Sequence, residues 1–258
     1  MKLNLHGERG PWVVKVGGIA GGIRMYDEEV AATVAAGFRV AALDTTGDRH
    51  DDPLDGPLTW DRLAAEVDAA IDRTGAERAI LWGTSFGCLV ALAAASRKPG
   101  RVSGLLLSHP PDPSHQPAIY PKILRWAERR AHPELTARIL FSLGFMTMTV
   151  WEGVSPPLWP RIPRLLRASL EAATPPSTVH GKLRLLLTGD PGLPPAPLPV
   201  EIIAGAWDLV APLRGANSLA GRIPGARVVV MGYSGHGGAY ARPRTYHRVV
   251  TESLARLS

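Results

Sequence analysis

The chain runs from an apolar stretch, Ala79-Ile80-Leu81-Trp82, through Gly83-Thr84-Ser85-Phe86-Gly87, into a stretch of small and apolar residues that ends near Arg97. Gly-x-Ser-x-Gly between a strand-like run and a helix-like run is the pattern of a nucleophile elbow. Such a turn holds its serine in a strained backbone conformation. It closes only where strand and helix approach so nearly that a Cβ on either glycine would collide. The five letters alone are weak evidence, and their placement carries the weight. The segment predicts strand, sharp turn, helix, with Ser85 standing above the edge of a sheet.

The rest of the chain repeats the same unit. Trp12 to Val16 and Phe38 to Leu43 are short apolar runs bounded by glycine or aspartate, and Asp27 to Ala36 between them has helical spacing after an acidic first turn. Thr59 to Arg73 places apolar residues at Leu63, Ala64, Val67, Ala70 and Ile71, with Thr59 as its cap, and leads into Ala79 to Trp82. After the helix from Phe86 to about Arg97 come the strand Val102 to Leu107 and, much later, Val200 to Ala204. The helix Leu213 to Arg222, the strand Val228 to Met231 and a helix from about Pro243 to Leu257 complete the series. Repeated βα units predict an α/β fold with a mainly parallel central sheet and helices on both faces. Residues 111 to 198 break the alternation. Prolines at 110, 111, 113, 194, 195, 197 and 199 bracket helical patterns at Ile119 to Ala131, Glu134 to Phe145 and Arg161 to Ala173. The expected organisation is a core domain of residues 1–110 and 199–258 with an inserted helical lid at 111–198.

Composition excludes several classes of function. With 258 residues, 45% of them hydrophobic, the chain can bury a large core. A lone cysteine, Cys88, rules out an internal disulfide and any cysteine-based metal cluster. Residues 1–9 lack the apolar core of a signal peptide, and the most apolar stretch, Ile80 to Ala95, is interrupted by Gly83, Ser85 and Gly87. The expectation is a soluble, cytoplasmic protein that does not engage membranes, as a monomer or homodimer. The net charge of +6 sits mostly in the middle segment, at Lys122, Arg125, Arg129, Arg130, Arg138, Arg161, Arg164, Arg167, Lys182 and Arg184. These residues are spaced as solvated helix faces without interleaved exposed aromatics, so no nucleic-acid partner is expected.

A serine hydroxyl needs a general base, and that base needs an acid to hold its tautomer. Asp208 follows the run Val200 to Ala204, and His236 follows Val228 to Met231, each just beyond the carboxyl end of a strand. In a parallel sheet those ends share one edge, so Ser85, Asp208 and His236 can converge. Asp190, after the run Leu183 to Leu187, is a rival acid, but it lacks the Asp-x-x-x-Pro context of Asp208. His50 with Asp51 and Asp52 suggests a metal loop, yet adjacent loop residues rarely converge as ligands. Gly17 to Gly22 matches neither dinucleotide nor phosphate-loop spacing.

With these residues in view, the chain resembles the α/β-hydrolase superfamily over nearly its whole length, in the order serine, acid, histidine and in the placement of a lid. The resemblance implies the α/β-hydrolase fold and a Ser85, His236, Asp208 triad. It also implies an oxyanion hole of the Phe86 and Ile19 N–H groups, with Gly18 the alternative if the register slips by one. Gly17-Gly18 stands where the family usually has His-Gly, which a hole built from backbone donors tolerates. The stretch Asp44-Thr45-Thr46-Gly47-Asp48-Arg49 replaces the family's Asp-x-Arg-Gly loop, a structural difference. Met148, Trp151 and Trp159 in the lid, and His109 after a strand, are expected to line a substrate pocket. The expected activity is hydrolysis of a small to medium carboxylic ester through an acyl-enzyme, with no metal or organic cofactor. The same machinery also serves carbon–carbon bond hydrolases, lactonases and thioesterases, and a non-catalytic binding protein of this fold is a further alternative.

Overall fold

The computed structural model describes residues 1–20, 22–115, 119–152, 174–195 and 197–258, with the backbone alone for 119 and 144–152. Among these, seven strands form one sheet: β1 (Lys2–His6), β2 (Trp12–Val16), β3 (Arg39–Asp44), β4 (Ala79–Thr84), β5 (Val102–Ser108), β6 (Val200–Gly205) and β7 (Arg227–Met231). Their order across the sheet is β1-β3-β2-β4-β5-β6-β7. Only β1 is antiparallel, with Lys2 opposite Asp44 and His6 opposite Val40. The other pairs are parallel, with Val16 opposite Gly83 and Gly205 opposite Met231 at the carboxyl edge. This is the mainly parallel α/β sheet expected from the repeated units.

Strands β2 and β6 are buried throughout, and β3 to β5 nearly so, because helices cover both faces. The period-2 alternation of strand side chains sorts their residues between two cores. Val14, Leu81, Leu105, Leu107 and Ile202 face α2 (Trp60–Thr74), α3 (Phe86–Arg97) and α7 (Leu213–Arg222). Val13, Ile80, Trp82, Leu106 and Ile203 face α9 (Pro243–Leu257), through Tyr246, Val250 and Leu254. On that second face α1 (Asp27–Ala35) and the preceding turn add Ile23, Tyr26 and Val30 over Val40 and Ala42. A short helix, α8 (Gly238–Ala241), precedes α9.

Between β5 and β6 the chain forms α4 (Ile119–Glu128), α5 (Pro133–Glu152) and α6 (Pro176–Thr188). Leu124, Ala127 and Ala137 make a small core there with Leu140, Leu183 and Leu187. The run Leu183 to Leu187 is therefore part of a helix. The helix expected at Arg161 to Ala173 lies outside the described residues. No described helix is long and apolar enough to cross a membrane.

Two features differ from the expectation. β1 was not anticipated: its five residues are mostly exposed, so its Leu3 and Leu5 give too little alternation to read. Lys182 is not on a solvated face. It is 2% exposed, and Nζ lies 2.5 Å from Asp48 Oδ1. Lys122, Arg125, Arg129, Arg130 and Arg184 are exposed as expected.

The start of α2 shows local rules at work. Thr59 is extended, and its hydroxyl accepts the Arg62 N–H at 3.1 Å, while Gly75 ends the helix in the left-handed region. Thr59→Ala should lower stability by about 1 kcal/mol, seen as a lower urea midpoint at unchanged slope. An unchanged midpoint would show that water serves the freed N–H equally well.

Candidate active site

Ser85 sits between β4 and α3 with φ 53° and ψ −121°. Its own N–H donates to Ser108 O at 2.9 Å, and its carbonyl accepts from Cys88 N at 2.9 Å, so the strained turn is held from both sides. A Cβ on Gly83 would stand 2.4 Å from Gly87 O, and one on Gly87 would stand 2.3 Å from Val16 O. Both contacts are with backbone, which cannot rotate away. Cys88 packs behind the turn, its Sγ 3.2 Å from Gly83 O and from Ser108 O. Burial pushes its thiol well above the usual range, which keeps it unreactive.

Three non-glycine residues among those described have positive φ: Ser85, His109 and Tyr233. They follow β4, β5 and β7 at the carboxyl edge, so the backbone strain collects where the sheet presents its loops. At that edge His236 Nε2 lies 3.0 Å from Ser85 Oγ, and His236 Nδ1 lies 2.8 Å from Asp208 Oδ2. Asp208 is 4% exposed, and its Oδ1 accepts the Val210 and Ala211 N–H groups at 2.9 and 2.7 Å. Burial alone would raise its carboxyl. The charge of His236 and the contacts from His109 and His236 more than reverse this, holding Asp208 well below the usual carboxylate range. An ionised Asp208 can only accept, so Nδ1 of His236 carries the proton and Nε2 is left to accept from the serine hydroxyl.

The structure thus brings Ser85, His236 and Asp208 together. Asp190 is exposed in a turn after α6, where it accepts the Gly192 N–H. His109, expected at a pocket wall, is instead 1% exposed and sits behind the acid. Its Nδ1 is 3.2 Å from Asp208 Oδ2, in ion-pair range without hydrogen-bond alignment, and its ring stacks on Tyr246. His109, Asp208 and His236 bring one potential metal-ligand atom each within 4.8 Å of one another. Both His236 nitrogens are already engaged, Nδ1 with Asp208 and Nε2 with Ser85. Around His50, Asp51 pairs with Lys2 and Arg49 and Asp52 with the N-terminal ammonium, so these carboxylates serve ion pairs.

Phe86 begins α3, where the first N–H groups of a helix have no intrahelical acceptor. Its ring stacks on Trp60. On the facing loop, Ile19 is 6% exposed, whereas the Gly18 N–H already donates to Tyr26 Oη at 2.9 Å. Lys182 Nζ reaches Gly18 O at 3.4 Å as well as Asp48, whose Oδ2 accepts from Thr45 N and Oγ1. The unusual 44–49 stretch is thereby tied through α6 to the loop facing Ser85. The sequence reading missed Tyr26, Asp48 and Lys182 in this setting. A buried charge pair whose members are 134 residues apart leaves no local pattern. The side chains of Met148 and Trp151, and the whole of Trp159, lie outside the described residues.

A family model described as the alpha/beta hydrolase fold matches residues 11–243. A protein named "Putative carbamate hydrolase RutD" from Escherichia coli O139:H28 is 26% identical over 96% of this chain and 92% of its own length. Two solved structures resemble the fold: a thermophilic esterase from Thermogutta terrifontis (TM-score 0.75, 22% identity, 99% of this chain and 93% of that one), and the enol-lactonase from Burkholderia xenovorans LB400 (TM-score 0.75, 22% identity, 98% and 96%). At such identity these structures speak for the fold alone.

Gly87→Ala should cost about 1–3 kcal/mol through overpacking, because the new methyl meets the Val16 and Gly17 carbonyls. The check is a thermal midpoint lower by several degrees. An unchanged midpoint would show that α3 can back away from the loop.

Proposed function

The chain belongs to the α/β-hydrolase fold family, and we propose that it is a serine hydrolase cleaving a small to medium carboxylic ester through an acyl-enzyme. The observation that carries this reading is the Ser85–His236–Asp208 chain, at 3.0 and 2.8 Å, with the serine held on a strained elbow. In the proposed reaction His236 Nε2 takes the Ser85 proton as Oγ attacks the ester carbonyl. Asp208 stabilises the resulting imidazolium and fixes its orientation. The developing oxyanion is held by the N–H groups of Phe86 and Ile19, since Gly18 is committed to Tyr26. His236 then protonates the departing alcohol, and a water activated by the same nitrogen releases the acid. Over the whole cycle His236 gives up each proton it takes, the first to the alcohol and the second, from water, to Ser85 Oγ, so water is the one co-reactant these steps consume.

In this reading residues 1–110 and 199–258 form the catalytic core and 111–198 the cap, with Met148, Trp151 and Trp159 roofing the acyl pocket. His109 backs the acid. A carbamate is the second substrate class to consider, because a relative matching nearly the whole chain carries that name, and a lactone, which the same triad can open, is tested beside it. A carbamate carbonyl is less electrophilic than an ester carbonyl, since its nitrogen donates into it, but it meets the same serine and the same hole. The test is a hydrolysis screen of p-nitrophenyl esters of increasing acyl length beside lactones and carbamates, with Ser85→Ala as control. Turnover of esters that is lost in the control supports the ester reading. Turnover of carbamates or lactones alone would replace its substrate class.

Ser85→Ala and His236→Ala should each reduce kcat by about four to six orders of magnitude with the fold intact, because the three residues act as a unit. Steady-state rates with a circular dichroism check decide this, and activity within tenfold of the parent in either variant contradicts the mechanism. Asp208→Asn should cost about 10⁴ in kcat, whereas Asp190→Asn should cost little; the reverse order would reassign the acid.

The pH dependence follows from the same groups. Asp208 is held well below the carboxylate range and stays ionised across neutrality. The group that must lose a proton is therefore an imidazole, ordinarily near pKa 6.5. For an uncharged ester, kcat/KM should rise once through about pH 6–7 and then level off. A sharp fall above neutrality would implicate another group.

A further inference from the structure

Lys15 is fully buried near the carboxyl end of β2. It occupies a position on the Val13 and Trp82 face, where the alternation would place an apolar side chain. Lysine is almost never fully buried unless paired, and taking its ammonium out of water costs several kcal/mol. The surroundings show what retains it. Nζ donates to Thr84 Oγ1, lies 3.3 Å from Glu29 Oε2 on α1, and sits over the rings of Trp82 at 3.7 Å and Tyr26 at 4.5 Å. Burial lowers the Lys15 pKa and raises that of Glu29, and each partner opposes part of the shift in the other.

Two of these neighbours lead to the site from different sides. Thr84 is the residue before Ser85, on the turn that delivers the Phe86 N–H. Tyr26 receives the Gly18 N–H, and its ring fills the space a Cβ on Gly17 would need, so the loop carrying Ile19 lies on it. A Cβ added at Gly18 would stand 3.6 Å from Ser85 Cβ, so the two turns face one another across about the width of one methyl group. Nothing else in the reaction described above uses the Lys15 ammonium.

Building on the proposed serine-hydrolase reading, we infer that Lys15 is a positioning residue for the oxyanion hole, its ammonium tying the turn of Ser85 and Phe86 to the loop of Gly18 and Ile19 through Thr84 and Tyr26. It does not touch the substrate. Its effect is to fix the distance between two backbone donors that follow separate strands, which matters most when negative charge gathers on the carbonyl oxygen. Loss of the tie should therefore weaken transition-state binding and leave substrate binding nearly unchanged.

Lys15→Met alone strands Glu29 as a buried, unpaired carboxylate, so the test uses Lys15→Met with Glu29→Gln, where a neutral pair of similar volume remains. Tyr26→Phe serves as a second variant that keeps the ion pair and removes only the acceptor for the Gly18 N–H. Three readouts are taken on the best ester: kcat, KM, and the inhibition constant of a trifluoromethyl ketone, whose adduct with the serine carries the oxyanion. In both variants kcat should fall by about 10- to 100-fold with KM within about threefold, and ketone binding should weaken by a similar factor. Turnover within twofold of the parent in both variants overturns the inference. So does a fall in kcat with ketone binding unchanged, which would mark a packing role. If the double variant fails to fold, Tyr26→Phe decides by the same criteria. The underlying reading is tested separately on the parent: fluorophosphonate labelling at Ser85 supports it, and absence of labelling sinks that reading first.

Discussion

The close approach of α3 to the ends of β2 and β4 is the constraint on which the rest of the site depends. Without side chains at Gly83 and Gly87, the first turn of α3 lies against the Val16 and Gly17 carbonyls, and Ser85 is forced to φ 53° above the sheet edge. Three consequences come from that one contact. The serine hydroxyl stands clear of its own backbone, the Phe86 N–H is presented at a helix start, and the loop after β2 is brought opposite it. Strain of this kind costs about 1–3 kcal/mol and persists because neighbours over-determine it. Here they are the Ser108 carbonyl, the Cys88 thiol and a helix buried through almost its whole length.

Around this point the polar groups are arranged in two tiers. At the surface of the edge, Asp208 is held by two backbone N–H groups on one oxygen and faces His236 and His109 with the other. A carboxylate so fixed cannot turn to follow solvent, so the imidazole it orients keeps one tautomer. Beneath the edge, Lys15, Glu29 and Tyr26 connect the strands that carry the two facing turns, and Lys182 with Asp48 ties α6 to the same loop. Burying two lysines is expensive. Both lie next to the segment that a serine hydrolase of this fold would use to hold an oxyanion.

Much of this was legible in the sequence because it is local. The apolar runs of β2 to β7, the capped periodicity of α2 and the small-residue helix after Ser85 each carry their pattern within one segment, and the residues just past β4, β6 and β7 could be placed at one edge by topology alone. What was not legible depends on distant partners. β1 earns its place by antiparallel pairing with β3, not by its own apolarity. Lys182 looks like any basic helix residue until Asp48 is beside it. His109 could be read as a pocket residue because nothing near it in the chain announces Asp208. Lys15, in Trp-Val-Val-Lys-Val, is the one polar residue of a buried strand, and that anomaly was the available signal for the tier beneath the site.

The claim at the centre of this account is that Ser85 becomes covalently acylated. It is tested most directly by mixing the protein with an activated ester, quenching in acid within the first turnover, and measuring the mass of the peptide that contains residue 85. The account predicts a mass increase equal to one acyl group on Ser85, forming with the release of alcohol and disappearing as acid is released. Ester turnover with no acyl group on that peptide, and with Ser85→Ala turning over at the same rate, would contradict it.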